Sequence, residues 1–268
     1  MKKKINSLAR FGLFVLVGMA MLSVLAPVIA PYNPNAIIES QIEGPSGKHP
    51  LGTDDLGRDI LSRILYGGRI SLTVGLVAVV ISLLVGVTMG AMAGYYGGWL
   101  DIFIMRLVDV MLAFPSIFLI LTIQAILTPN IINVMVVIGL TSWMGVARLV
   151  RGEFLRIREL SYVEAAKATG CSNFRIIFRH ILPNAQGPII VAATLGMAGA
   201  ILTESALSFL GLGVQPPLAS WGSMLMDAQA YMFDAPWMSV IPGIFILITV
   251  LSLYFLGEGL REALNPRN

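Results

Sequence analysis

The chain has 268 residues, of which 56% are hydrophobic and 12% are charged, whereas a soluble globular domain carries about 25% charged residues. This composition excludes an ordinary water-soluble domain, and the formal net charge of +3 gives no indication of nucleic-acid binding. A helix needs about 20 predominantly apolar residues to cross a bilayer, and uncharged runs of that length recur along the chain. We therefore predict an all-α membrane protein.

Six membrane-spanning helices are predicted from these uncharged runs. The run over residues 107–147 is too long for one span, and Thr128-Pro129-Asn130 supplies a turn that divides it. Pro115 predicts a kink in its first half. The first run is longer than the about 7–15 apolar residues of a secretory signal peptide, so we interpret it as a retained helix. The predicted spans cover residues 9–30, 72–95, 107–127, 131–150, 188–210 and 237–257.

The orientation in the membrane is predicted from lysine and arginine, which stay preferentially on the cytoplasmic side. With the N-terminus inside, 14 of the 18 basic residues fall in cytoplasmic segments. The other four lie between the first two spans, where five acidic residues offset them, and the outer loop over residues 211–236 has no basic residue. We therefore expect a multi-pass protein of the cytoplasmic membrane with both termini in the cytoplasm.

Two parts of the chain are predicted. Residues 1–70 hold the first span and an extracytoplasmic segment, in which Thr53 or Asp54 is expected to cap a short helix that ends at Gly67-Gly68. Residues 71–268 form the main transmembrane domain. Its first helix has glycine at every fourth position (86, 90 and 94), which predicts close packing against another helix.

No cofactor site is indicated by the sequence. Cys171 is the single cysteine, and His49 and His180 are predicted on opposite sides of the membrane, so we expect no metal site built from these residues. The phosphate-cradling pattern G-x-x-x-x-G-K-[ST] does not occur, and neither does G-x-S-x-G or H-E-x-x-H. The chain is therefore predicted not to be an enzyme and not to hydrolyse ATP itself.

The longest predicted cytoplasmic loop, residues 151–187, has a helix, glycine, helix pattern. Ser161 and Glu164 have the spacing of a capping box, which predicts a helix from Ser161 through Ala165 and Ala166 to Gly170. A second helix is expected to begin at Ser172 and to stop near Pro183. Its apolar stripe consists of Phe174, Ile177, Phe178, Ile181 and Leu182.

A structured cytoplasmic loop in a chain without a soluble domain indicates a docking element for another protein. The alternative is an amphipathic hairpin that only rests on lipid headgroups. Residues alone leave both interpretations open.

Two acidic residues fall inside predicted spans. Glu204 lies in the fifth span beside Ser205 and near Ser208; because intramembrane carboxylates are costly, a role in a translocation pathway and a structural role are both open. Asp109 follows Arg106 by three residues, a helical spacing that predicts a local ion pair.

Several motifs together carry a family resemblance. Glu164-Ala165-Ala166, followed three residues later by Gly170 and then by Leu182-Pro183, resembles the EAA loop of permease subunits in binding-protein-dependent ABC importers. One departure is His180, since the family usually has an aliphatic residue at that position. Four further segments are similar to the second permease of dipeptide, oligopeptide and nickel importers: residues 49–59, 207–217, 220–222 and 259–266.

The resemblance implies a type I ABC importer-like permease with six transmembrane helices and a cytoplasmic helical coupling hairpin. It also implies a membrane-embedded heterodimer with a related permease, two cytoplasmic ATP-binding subunits, and an extracytoplasmic substrate-binding protein. The expected cargo is a short peptide, and the alternative cargo is nickel or a metal complex. A secondary transporter is the alternative from another class; such proteins usually have paired broken helices in two halves, which the sequence does not indicate.

Overall fold

The computed structural model describes residues 6–38 and 41–264. Within these ranges the protein is helical, and the only β contact is an isolated bridge between Thr53 and Asp59. The predicted cytoplasmic residues 2–4 and Arg267 lie outside the described residues. The α-helices are α1 (Ser7–Val24), α2 (Ala26–Ile29), α3 (Ile60–Tyr96), α4 (Gly98–Ala113), α5 (Ser116–Ile126), α6 (Ile131–Leu140), α7 (Trp143–Arg158), α8 (Ser161–Ala168), α9 (Asn173–Arg175), α10 (Leu182–Phe209), α11 (Trp221–Asp227) and α12 (Trp237–Leu264).

Five helical segments are long and apolar enough to cross a membrane, and α4 with α5 adds a sixth if that bent pair is one span. Two of the segments contain more than one α-helix. A break at Thr141 and Ser142 separates α6 from α7, and α9 leads through residues 176–181 into α10. The observed segments correspond to the six predicted spans, but their ends differ. The first ends at Val24 instead of residue 30, and the second and fifth begin at Ile60 and Asn173 instead of residues 72 and 188. The all-α membrane fold is therefore confirmed.

Helix α3 is the centre of the fold and packs against α7, α10, α6 and α1. As predicted, its glycines allow close approach: a Cβ atom on Gly86 would lie 2.6 Å from Val146, and one on Gly94 would lie 2.6 Å from Phe154. Both partners are on α7. Small residues on α3 thus determine how tightly α7 is held.

The prediction of a separate outer helix before the second span is wrong. Asp59, rather than Thr53 or Asp54, caps a helix that begins at Ile60 and continues through Gly67-Gly68 to Tyr96. A Cβ on Gly68 would contact Ser23 and would lie 3.0 Å from the Trp221 ring. These glycines therefore serve close packing and do not end a helix. The predicted boundary at residue 70 falls inside α3.

The third span is broken where the sequence predicted a kink. Helices α4 and α5 meet at an angle of 84°, with Phe114 ending α4 and Pro115 preceding α5. Proline lacks the N–H that would continue the α-helical ladder. α4 begins at Gly98 rather than near residue 107, and Asp101 in its first turn pairs with Arg151 of α7.

The outer loop folds back against the spans, as its apolar residues predicted. Its helix α11 buries Trp221 and Met224 among Ile64 of α3, Ile201 of α10 and Val250 of α12. The indole N–H of Trp221 donates to the Ile64 carbonyl at 3.1 Å. The loop is therefore a fixed part of the helical core.

Candidate coupling hairpin and buried polar sites

Helix α8 begins at Ser161, as predicted, but not by the predicted capping box. Its N-cap is Leu160, and no side chain caps the helix. The turn is closed instead by the backbone, with the N–H groups of Val163 and Glu164 donating to the Leu160 carbonyl at 2.9 and 3.2 Å. Only Glu159 and Leu160 separate α7 from α8, so no free turn precedes the helix for a Ser161 cap.

Gly170 ends this helix in the left-handed conformation, with φ of +76°, which confirms the prediction. The N–H of Cys171 donates to the Ala166 carbonyl and that of Gly170 to the Lys167 carbonyl, at 3.1 and 3.0 Å. This bonding pattern is typical of glycine-terminated helices. A Cβ on Gly170 would meet no atom of this chain within 4 Å, so the backbone conformation, and not crowding within the chain, favours glycine here.

The predicted coupling hairpin consists of residues 161–183. Its second helix does not stop near Pro183, and that prediction is wrong. Ser172 caps α9, which passes through a π-helical turn, Ile176–Ile181, directly into α10. In the π turn the Leu182 N–H donates to the Ile177 carbonyl, five residues back. The register shift accommodates Pro183 in the first turn of α10, where a missing N–H is tolerated. Consequently the hairpin is continuous with the fifth span.

His180 is the one departure from the family pattern, and it lies in the π turn. Its backbone carbonyl accepts a hydrogen bond from Asn184 Nδ2 at 2.6 Å. The Asn184 side chain therefore bonds to the backbone where the π turn joins α10. The hairpin is also tied to the end of α3, because the Tyr95 hydroxyl donates to Asn173 Oδ1 at 2.8 Å.

The predicted hairpin residues divide into a packed set and an exposed set. Ala166, Ile177, Ile181 and Leu182 pack against a core that includes Phe154 of α7. The predicted apolar stripe is therefore split, since Phe174 and Phe178 are 71% and 53% exposed with ring centroids 4.4 Å apart. The exposed members of the predicted set are Ser161, Glu164, Ala165, Gly170, Phe174, Phe178 and Pro183.

Glu204 and Ser208 lie together in a buried polar network. Glu204 is fully buried, and the Ser208 hydroxyl donates to its Oε1 at 2.7 Å. Ser71 of α3 donates to Oε2 at 3.4 Å. The same two serine oxygens accept the outer-loop N–H groups of Val214 and Trp221, at 3.0 and 3.2 Å.

This geometry favours the structural interpretation of Glu204. The carboxylate accepts from both serines, which orients their hydroxyls so that each oxygen is free to accept a loop N–H. Glu204 thus joins α10, α3 and the outer loop inside the chain. The pathway role of Glu204 and Ser208 stays a prediction.

The predicted ion pair between Asp109 and Arg106 is wrong. Asp109 of α4 pairs with Arg148 of α7 at 2.8 Å. Nearer the start of α4, Asp101 accepts two hydrogen bonds from Arg151 of α7, at 2.5 and 2.6 Å. Sequence spacing favoured the neighbour three residues away, but the fold brings a more favourable partner from another helix.

A group of three carboxylates lies in the outer segment, with ligand atoms of Asp54, Asp55 and Asp227 within 4.8 Å of one another. Arg58 Nε contacts Asp54 at 2.6 Å, and Arg63 contacts Asp227 at 3.0 Å. Burial, reinforced by the two neighbouring carboxylates, raises the pKa of Asp55. With two guanidinium groups already paired to these oxygens, the group is an ion-pair network that ties residues 54–63 to α11.

A cavity of about 400 Å³ lies where the broken helices meet. The break between α4 and α5 contributes Phe114, Pro115 and Ser116, and the break between α6 and α7 contributes Thr141 and Ser142. Sequence reasoning found the first break through Pro115 but missed the second, which has no proline or glycine between the helices.

Comparison with known proteins identifies the family. Residues 86–268 match the family described as the binding-protein-dependent transport system inner membrane component. The chain belongs to this family. Residues 4–45 additionally match the N-terminal transmembrane domain of oligopeptide transport permease C. The chain is therefore a multi-pass membrane permease subunit, and the alternative of a secondary transporter is wrong.

Similar proteins cover almost the whole chain. The dipeptide transport system permease protein DppC of Alkalihalophilus pseudofirmus is 46% identical over 98% of this chain and 87% of its own length. The glutathione transport system permease protein GsiD of Pectobacterium atrosepticum is 44% identical over 96% and 85%. The oligopeptide transport system permease protein OppC of Bacillus subtilis is 39% identical over 98% and 86%.

Among solved structures, a chain of the MetNI methionine ABC transporter in an inward-facing conformation matches with a TM-score of 0.61. The alignment covers 75% of this chain and 96% of that chain, at 18% identity. At this identity the likeness is one of fold, and it confirms the predicted ABC importer permease architecture.

Proposed function

We propose that this permease subunit forms half of the translocation pathway of an importer for short peptides, and that residues 161–183 couple ATP hydrolysis by partner subunits to transport. The proposal rests on the direct connection of these residues to two membrane spans. The hairpin exposes a surface at its turn, while its two ends continue within two residues into α7 and without a break into α10. A displacement of the hairpin is therefore transmitted directly to two spans.

The partners in this proposal are a homologous second permease, two cytoplasmic ATP-binding subunits and an extracytoplasmic substrate-binding protein. The sequence lacks a phosphate-cradling loop, so the proposal assigns no cofactor to this subunit. ATP is bound by the partners, and both termini of this chain lie in the cytoplasm. The exposed pair Phe174 and Phe178 is the apolar anchor for an ATP-binding subunit, since buried aromatic side chains contribute strongly at interfaces.

Short peptides are favoured as cargo over nickel by the relatives, which are named for dipeptide, glutathione and oligopeptide transport. The test is reconstitution of the complete transporter with its substrate-binding protein in liposomes. We expect ATP-dependent uptake of radiolabelled alanyl-alanine that unlabelled dipeptide suppresses, and no uptake of ⁶³Ni. Nickel uptake without dipeptide uptake would establish the alternative cargo, and uptake without ATP would contradict the proposal.

The docking of the hairpin has its own test. In a complex whose Cys171 is replaced by serine, a cysteine at Phe178 is expected to form a cross-link to an ATP-binding subunit. Phe178 is 53% exposed on the hairpin, so a short thiol-reactive cross-linker can reach it from a protein docked there. The matched control is a cysteine at Phe233, which is 96% exposed on the outer loop and should give no such cross-link. A hairpin bound only to lipid headgroups would give none at either position.

A further inference from the structure

We propose that two ion pairs between α4 and α7 make α4 follow the movement of the coupling hairpin. The inference rests on the proposed function, because it assigns a task to side chains outside the hairpin. Asp101, Asp109, Arg148 and Arg151 are then positioning residues for transport.

Helix α4 has a backbone break at both ends. At its start, Gly97 and Gly98 have φ of +67° and +57°, a conformation that reverses the chain between α3 and α4. At its end, Pro115 separates it from α5 at 84°. α4 is therefore a rigid helix that is connected to α3 and α5 through a break in the backbone at each end.

The apolar contact between α4 and α7 is rich in methionine. Met105 and Met111 of α4 and Met89 of α3 pack around a cluster that contains Val108 and Met144. Methionine side chains are flexible and adapt to different partners, so this contact by itself gives α4 little directional attachment to α7.

The ion pairs supply that direction. Arg151 holds Asp101 through two parallel bonds, at 2.5 and 2.6 Å, which constrains orientation as well as distance. Arg148 holds Asp109 at 2.8 Å further along the same two helices. Because the two ion pairs lie at different positions along α4, together they prevent α4 from translating along α7 and from rotating against it.

The two pairs differ in burial, which predicts a graded effect. The Asp101 side chain is 15% exposed and that of Arg151 is 32% exposed, whereas Asp109 and Arg148 are both 52% exposed. Exposed ion pairs contribute little. The Asp101–Arg151 pair is therefore the stronger attachment.

Movement of α4 reaches the cavity at the helix breaks. Met111 and Phe114, in the last turn of α4 and just after it, line the cavity opposite Met144 and Gly145 of α7. Only two residues connect α7 to the hairpin, so a displacement of the hairpin also displaces Arg148 and Arg151 of α7. Through their ion pairs, these arginines displace α4. The shape of the cavity then depends on the ATP-driven step.

The experiment is a charge exchange in the complete transporter, reconstituted with its substrate-binding protein and assayed with alanyl-alanine. We expect Asp101→Arg and Arg151→Asp each to lower the number of dipeptides taken up per ATP hydrolysed by about tenfold. The same changes at Asp109 and Arg148 lower it by about threefold. Each double exchange restores at least about half of the wild-type ratio.

The matched control is Glu153→Gln, which removes an ion pair formed within α7 itself, between Glu153 and Arg156 at 2.6 Å. It should leave uptake per ATP unchanged. Co-purification of the partner subunits reports assembly, and Asp101→Asn serves as a milder variant if Asp101→Arg does not assemble.

Wild-type ratios in both single variants would overturn the inference, as would a double exchange as defective as the single variants. A failure of the proposed function looks different, because then the wild-type complex itself shows no ATP-dependent uptake.

Discussion

Replacing Gly170 with valine is expected to lower ATP-dependent dipeptide uptake strongly while the subunit still inserts and binds its partners. Gly170 has φ of +76°. This conformation raises the free energy of a non-glycine residue by about 1–2 kcal/mol, and of a β-branched residue by more. The strain is relieved by rearranging the turn between α8 and α9, which changes the surface that the hairpin presents. Uptake in liposomes measures the effect, and a loss of at least about tenfold is expected.

Gly170→Asn is the matched control, because asparagine tolerates the left-handed conformation better than other non-glycine residues. It should retain most of the uptake. A Cβ on Gly170 meets nothing within 4 Å in this chain, so equal loss in the valine and asparagine variants would indicate a clash with a docked partner instead of backbone strain. Full uptake by the valine variant would contradict the coupling role of the hairpin.

Replacing Glu204 with alanine is expected to destabilise the subunit and loosen its outer loop. The change removes the acceptor of the Ser71 and Ser208 hydroxyls in a fully buried site. Leaving buried polar groups unsatisfied and opening a cavity costs about 2–4 kcal/mol. We expect the Tm of the detergent-solubilised complex to fall by about 5–10 °C, with faster proteolysis between residues 211 and 220.

Glu204→Gln separates the two interpretations of this residue, because glutamine keeps the volume and one acceptor oxygen but removes the ionisable carboxyl group. A structural role predicts a small fall in Tm and nearly normal uptake. A pathway role predicts normal Tm with uptake lost. The control is Thr249→Val, a nearly isosteric change in α12 at a buried hydroxyl without a hydrogen-bond partner among the described residues, which should leave Tm and uptake unchanged.

The hairpin shows where reasoning from the sequence succeeds and where it stops. The helix-ending Gly170 follows from local rules, because a helix terminus involves only residues a few positions apart. The start of α8 at Ser161 was predicted correctly, but the side-chain cap that predicted it does not form. The position of Pro183 inside a continuous helix was not predictable from local rules. It depends on a π turn, which forms only where the packing of the flanking helices stabilises the wider turn. A proline that would stop an isolated helix is therefore carried within a continuous one.

Charge pairing shows the same limit. Asp109 had an arginine at helical spacing, yet it pairs with Arg148, and Arg63 pairs with the distant Asp227 of α11. Local spacing names the partners available within one helix. Only the packing of helices decides which distant partner competes with them.

By itself, the sequence determined that this protein is a bundle of membrane-spanning helices, that the long loop after the fourth predicted span begins with a helix closed by Gly170, and which family its motifs resemble. These features depend on hydrophobic length and on local backbone rules. Tertiary structure decided that Gly67-Gly68 serve contact instead of ending a helix, that α4 is tied to α7, and that Glu204 lies under the outer loop. Those outcomes depend on atoms brought together from distant segments, which no local pattern specifies.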